Sequence, residues 1–326
     1  MAYQHPVRVA VVGVGYVGAL HAQVYAKHRG LAKLVAVCDI DADRAKEIAQ
    51  RLGCRPVEDP TQLIGLVDAA SVCVPTSLHH AIGNTLLQAG IHVLIEKPIT
   101  TTVAQANELL AVAARRHLTL QVGHIERFNA AIQAARSYLT HPRFVEAHRL
   151  SPYPFRGTDV SVVLDLMIHD LDLLLALVRS QPTRIHAIGV PVLSTSEDIA
   201  NARIEFASGC VANLTASRVS EERIRRIRLF QEDCYLSIDY QQQTAELARK
   251  HGRAIERTAL DVRRRPPLDE QLEAFLHAVR SRQRPVVSGE EARDALALAL
   301  RIEQTMRRTP AKHRRIRHSK LEARNK

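Results

Sequence analysis

Between residues 7 and 122, short β-branched runs alternate with helical stretches of about a dozen residues, and this rhythm limits the possible folds more than anything else in the chain. The runs "VRVAVVGVG", "LVAVCDI", "DAASVCV", "HVLIEKP" and "LTLQVGH" read as strands. The intervening helices run from about Tyr16 to His28, with Gly30 able to end the turn, then through "DADRAKEIAQRL", closed by Gly53. "HHAIGNTLLQA", stopped by Gly90, and "TTVAQANELLAVAARRH", opening on threonine caps, complete the set. Strands joined through helices require crossover connections, which place successive strands parallel in one sheet. The expectation for residues 1–122 is an α/β, doubly wound parallel sheet.

The pattern changes after residue 142. "RFVEAHRLS", "TRIHAIGVPVL", "NARIEFASGCVANLTASRV", "RIRRIRLFQED" and "CYLSIDY" read as strands, most with no helix between them. Ser208-Gly209 lies between two alternating runs and suits a hairpin turn. Only 162–178, 268–281 and 289–306 look helical. Residues 123–306 should therefore form an α+β domain with a large, mostly antiparallel open sheet. Its bare face would be a surface for self-association into a homodimer or homotetramer.

The formal charge of +11 suggests a nucleic-acid partner until it is located. Residues 307–326 hold nine Lys/Arg and one Glu, or +8, which leaves +3 for the other 306 residues. Such a tail is polar and aperiodic, so a flexible, solubilising segment is expected, with no specific nucleic-acid partner. No apolar run reaches the roughly 20 residues of a membrane helix. Five scattered cysteines without a CxxC pair suit free thiols in a reducing cytoplasm.

"GVGYVG" sets Gly13, Gly15 and Gly18 in a G-x-G-x-x-G between the first strand and the first helix. The first glycine permits the tight turn, the second admits a pyrophosphate, and the third lets helix and strand pack closely. Tyr16 and Val17 line the same turn, whose helix N-terminus offers N–H groups to an anion. Asp39 follows at the end of the second strand. A carboxylate there accepts from ribose hydroxyls and repels a 2′-phosphate, which favours NAD over NADP. The domain is accordingly read as a Rossmann domain with NAD as cofactor.

The greasy segment "VVLDLMIHDLDLLLALV" (162–178) nevertheless carries four ionisable groups. On a straight helix, at about 100° per residue, Asp165, His169 and Asp172 share one face while Asp170 points away. A buried polar face must meet something polar: a substrate, a metal ion or a structural ion cluster. No second acidic or histidine cluster has ligand spacing, so no metal is expected. "IEKP" (95–98) brings Glu96 and Lys97 to the carboxyl edge of the parallel sheet, where ligands bind in open α/β folds.

"GVGYVGALHAQVYA", "VCDIDADRA", "TSLHHAIGNTLLQAGIHVLIEKPIT" and the D-x-x-x-H-x-x-D spacing of 165–172 together resemble the GFO/IDH/MocA oxidoreductase family over about residues 7–305. The resemblance implies an NAD-dependent dehydrogenase acting on a sugar CH–OH group. It implies Lys97, His169 and Asp165 as catalytic residues, with the roles of lysine and histidine exchangeable. It places Thr76 beneath the cofactor, and His79, Glu96 and Lys97 beside it. "VGHIERFNA" and "SPYPFRGTDVSVVLDLMIHDLDLL" resemble the subgroup that oxidises C3 of UDP-N-acetylglucosamine on a route to 2,3-diamino sugars for lipid A, although Ala130 stands where proline is usual. That resemblance implies His124, Arg127, Asn129, Arg156 and Asp172 near the substrate, with Arg156 suited to a diphosphate. An interdomain salt bridge is the competing role for Arg127. A dehydrogenase of inositol or a free sugar, and a non-catalytic nucleotide sensor, are the alternative functions.

Overall fold

The structure is a computed structural model that describes residues 5–153 and 160–308. Its first half is the expected doubly wound sheet. β1 (Val7–Val12) leads through α1 (Tyr16–Lys27) to β2 (Ala32–Cys38), and α2 (Ala42–Leu52) leads to the short β3 (Arg55–Val57). β4 (Ala69–Val72), α3 (Thr76–Gln88), β5 (His92–Ile95), α4 (Val103–Arg116) and β6 (Leu120–Val122) complete it. All six strands run parallel in the order β3-β2-β1-β4-β5-β6, so the chain reverses direction beside β1, above which ligands bind in this topology. Apolar side chains of β1, β4 and β5 are almost completely buried, as in strands covered by helices on both faces. Gly53 ends α2 in the left-handed region, where a side chain would be strained.

After α5 (Ala130–Ala135) the chain enters an eight-stranded sheet. It comprises β7 (Phe144–Leu150), then, beyond α6 (Ile168–Val178), β8 (Pro182–Val190), β9 (Ile199–Phe206), β10 (Val211–Ser217), β11 (Ile224–Phe230), β12 (Cys234–Asp239), β13 (Thr244–His251) and β14 (Ala254–Ala259). The order is β14-β13-β12-β11-β7-β10-β9-β8, antiparallel at every pairing except β10 with β7. Alternate residues of β7, β10 and β12 are buried beneath α5, α6 and α8 (Gly289–Arg308), while their neighbours on the other face stay half-exposed. Phe144, Phe230 and Tyr235 form an aromatic row, with ring centroids 5.6 and 4.8 Å apart.

Three features depart from the expectation. The 162–178 segment is not one straight α-helix: Val163–Met167 forms a π turn before α6 begins. Strands β3, β13 and β14 were not legible as strands. The C-terminal helices also close the Rossmann half. Leu272, Phe275 and Leu276 of α7 (Pro267–Ser281) complete the core on one side of the parallel sheet, and Val287, Ala292 and Leu296 complete it on the other. Helix α8 presents Ala299, Ile302 and Met306 to the large sheet as well, so it is shared between the halves.

Candidate active site

The glycine turn after β1 is shaped for a dinucleotide. Gly13 has φ +82°, and a Cβ on it would lie 2.7 Å from the Cys73 carbonyl oxygen. A Cβ on Gly18 would lie 1.8 Å from the Gly13 carbonyl oxygen, so helix and turn can approach only through glycine. Gly15 differs: nothing stands within 4 Å of its Cβ position, which leaves its backbone open to an approaching phosphate. Tyr16 is 85% exposed and Val17 is also exposed at the start of α1. Asp39 lies at the end of β2, where its carboxylate accepts from the Val14 N–H at 2.8 Å and the Asp41 N–H at 3.0 Å. Arg44 Nη1 donates to both its oxygens at 3.3 Å, a contact that spacing alone did not reveal. Asp41 caps α2 instead. The open Gly15 backbone, the free helix start and the carboxylate at the strand end fit the diphosphate and ribose of NAD.

From the end of β5, two strands over from β1, comes the lysine. Lys97 Nζ reaches across to the π turn and donates to the Asp165 carbonyl oxygen at 2.8 Å and to its Oδ1 at 3.1 Å. Both side chains remain partly accessible. One turn on lies His169, whose Nδ1 has no hydrogen-bond partner among the described residues. Its ring stands edge-on to that of His124, with centroids 6.2 Å apart. His124 is buried, and neither of its ring nitrogens has a partner among the described residues. Burial first, then the charges of Lys97 and Arg149, holds the His169 imidazole well below its ordinary pKa of 6.5. His124 is held down as well, chiefly by burial. Near neutral pH both rings are therefore uncharged, and each keeps a nitrogen able to accept a proton.

Glu96 is fixed behind the lysine. His21 Nε2 of α1 stands 3.3 Å from Glu96 Oε1. Burial raises the affinity of Glu96 for a proton, but His21 and Lys97 outweigh it and hold the carboxyl below its usual range. Gly123 leaves room for that carboxylate: a Cβ there would come within 2.3 Å of Glu96 Oε1.

Residues 7–124 match the model of the oxidoreductase family with the NAD-binding Rossmann fold, and residues 129–236 match the GFO/IDH/MocA C-terminal domain. The chain is 39% identical over 302 residues to UDP-N-acetylglucosamine 3-dehydrogenase of Acidithiobacillus ferrooxidans, covering 90% of this chain and 96% of that one. The chain belongs to the GFO/IDH/MocA family. A solved structure of that Acidithiobacillus enzyme superposes with a TM-score of 0.88, covering 92% of this chain and 97% of the other. Myo-inositol 2-dehydrogenase of Thermotoga maritima is 27% identical over 322 residues, covering 92% of this chain and 96% of that protein. The fold also matches an inositol dehydrogenase homolog of Azotobacter vinelandii, complexed with NADH and myo-inositol, at a TM-score of 0.83 and 19% identity, covering 94% of this chain and 97% of the other. As a member of this family the chain is an oxidoreductase with an NAD-binding domain.

The GFO/IDH/MocA site gathers some of the residues expected from sequence and disperses others. Lys97, Asp165, His169 and His124 converge. His79 does not present its ring to the cleft: it is buried in α3, with Nδ1 2.8 Å from the Pro98 carbonyl oxygen and Nε2 2.9 Å from that of Val74, so it ties two cofactor-side loops together. Thr76 opens the same helix, half-exposed. Arg127 and Asp172, expected at the substrate, instead form a buried ion pair at 3.4 Å, and Arg127 also reaches Glu291 at 3.0 Å. Arg127 thus bridges α6 and the start of α8, both within the second half of the chain. Asn129 is buried as well: it caps α5 through Ala131 N–H and donates to the Tyr240 carbonyl oxygen at 2.9 Å. In each case the side chain is engaged by a neighbouring element of the second half. Arg156 lies outside the described residues.

Sequence reasoning missed a second cluster. Asp170, which turns away from the site, accepts two hydrogen bonds from Arg149 at 2.7 and 3.0 Å, and Arg149 also donates to Glu126 at 3.0 Å. A signal existed, because β7 alternates and sets Arg149 on the same face as the buried Val145 and Ala147. An arginine on an apolar face demands a carboxylate.

Proposed function

We propose that this protein oxidises the C3 hydroxyl of UDP-N-acetylglucosamine with NAD, on a route to 2,3-diamino sugars for lipid A precursors. The observation that carries the reading is Lys97, at the carboxyl edge of the parallel sheet, bonded to Asp165, with its charge felt at His169 one turn on. NAD, when bound, supplies the acceptor for the hydride that leaves the carbinol carbon. The alcohol proton needs a base at the same moment, and His169, held neutral by burial and nearby cations, takes it. Lys97, anchored by Asp165, orients the hydroxyl oxygen and stabilises its developing negative charge. His124, unpartnered beside His169, lines the same substrate space. Asp39 at the ribose position favours NAD over NADP. Keeping both Lys97 and His169 speaks against a non-catalytic sensor, which has no need of a proton shuttle.

The choice of sugar is supported by the 39% identity to the Acidithiobacillus enzyme. The second reading, a free polyol such as an inositol, draws on the 27% identity to the Thermotoga myo-inositol enzyme. The half-exposed sheet face with its aromatic row supports a homodimer or homotetramer, and five free cysteines support the cytoplasm. Among the described residues no helix is long and apolar enough to cross a membrane. A panel of UDP-sugars and free polyols offered with NAD, followed at the NADH absorbance band, tests the proposal. NADH should form with UDP-N-acetylglucosamine; formation with inositol and with no UDP-sugar overturns the substrate assignment.

A further inference from the structure

Arg223 and strand β11 carry "RIRRIRL" (223–229), and the strand's arginines divide by face. Arg226 and Arg228 point to the half-exposed face, where Arg226 lies 3.7 Å from Asp239 and Arg228 lies 3.3 Å from Glu146. Arg225 belongs to the other face. It stands directly opposite Arg149 in the antiparallel pairing of β11 with β7, and opposed residues share a face. Arg149 faces α6 and takes both oxygens of Asp170 together with one of Glu126. Neither carboxylate reaches Arg225 directly, although both act on it from a distance. Arg225 is half-buried and pairs with no acid among the described residues, and Arg223, two positions earlier and exposed, has none either. Both lie at the sheet end where β7 leaves toward residue 160 and the π turn. The charge of Arg225 is felt at His169, whose proton affinity it lowers.

A partly desolvated guanidinium with no acid in direct contact is costly to maintain unless an anion completes it. Its planar fork fits phosphate oxygens two at a time. We propose that Arg225, with Arg223 at the rim, takes the diphosphate of a nucleotide-sugar substrate. The inference rests on the UDP-sugar reading above. The sugar ring then spans from the arginines to Lys97 and His169, while the cofactor's own diphosphate stays on the glycine turn. Arg225 sets specificity in this arrangement, since a free polyol gains nothing from it.

The test is calorimetric titration of UDP, and of uridine as the phosphate-free control, into the full-length protein saturated with NADH. Arg225→Gln should weaken UDP about tenfold to a hundredfold, the loss of a charge-assisted contact, and leave uridine unchanged. Arg225→Lys should lose less. Equal UDP affinity in Arg225→Gln and wild type overturns the assignment, as does a parallel loss of UDP and uridine. Should Arg225→Gln fail to fold, Arg223→Gln decides: roughly threefold weaker UDP is expected, and unchanged affinity overturns the assignment. If the wild-type protein binds no UDP yet reduces NAD with a polyol, the UDP-sugar reading itself has failed, an outcome no arginine variant can mimic.

Discussion

Helix α6 turns Asp170 toward Arg149 and, one residue earlier, turns His169 toward His124. The Asp170 side is closed: Arg149 and Asp170 are each 3% exposed, and their charges are matched by direct hydrogen bonds. The His169 side is open. Lys97 and Asp165 keep 21% and 30% of their side-chain surface, and the two histidines hold nitrogens with no partner. A buried polar group without a partner costs a few kcal/mol, so a fold retains one only where something else completes it. The closed cluster fixes the helix, and the open one is left for a substrate. On adjacent residues of a single helix, the distinction is drawn by partners rather than by burial alone.

The contrast can be broken most decisively at the open cluster. A Lys97→Ala, His169→Ala double variant should lower kcat by about a thousandfold or more, with a melting temperature close to wild type. Near-normal turnover of the proposed substrate would end the assignment of this cluster. At the closed cluster the expectation reverses. Arg149→Met strands Asp170 and Glu126 without their cation, which should cost about 3–5 kcal/mol, seen as a fall of roughly 10 °C in Tm. Turnover at a permissive temperature should stay within about tenfold of wild type. A variant that melts normally but is inactive would show that the clusters have been assigned the wrong way round.

The smallest effect sharpens the comparison through protons. His92 accepts the Thr119 N–H on Nδ1 at 2.9 Å, and its pKa is lowered to about 4, chiefly by burial. The unfolded chain protonates this ring near pH 6.5 and the folded chain resists, so its contribution to stability is complete above that pH and declines as pH falls toward 4. Between pH 6.5 and 5.5 His92 alone should account for about 1 kcal/mol. Thermal melts across that range should show His92→Asn with a shallower slope than wild type. An unchanged slope would remove His92 from the account.

What could be read in advance follows from range. The glycine turn, Asp39, the helix caps and the strand rhythm are encoded within a few residues of themselves, and the structure reproduces them. Lys97 and Asp165 lie 68 positions apart, and their meeting became legible only through the resemblance of the whole motif set. A salt bridge for Arg127 was foreseen, but its partner Glu291, like Tyr240 for Asn129, lies more than a hundred positions away and was not legible. Strand β14 escaped because all six of its residues are exposed, so it carries no apolar alternation. The π turn has no sequence signature and breaks the regular 100° step. Asp165 and His169 still converge across it, while Asp172 pairs with Arg127.

Helices α7 and α8 return from the large sheet to finish the Rossmann core, so the polypeptide joins the two halves twice rather than once. The joints lie side by side, since α7 packs on the 125–128 turn. A cut at residue 122 would therefore leave the first half without Leu272, Phe275, Val287 and Leu296, its core open on both sides of the parallel sheet.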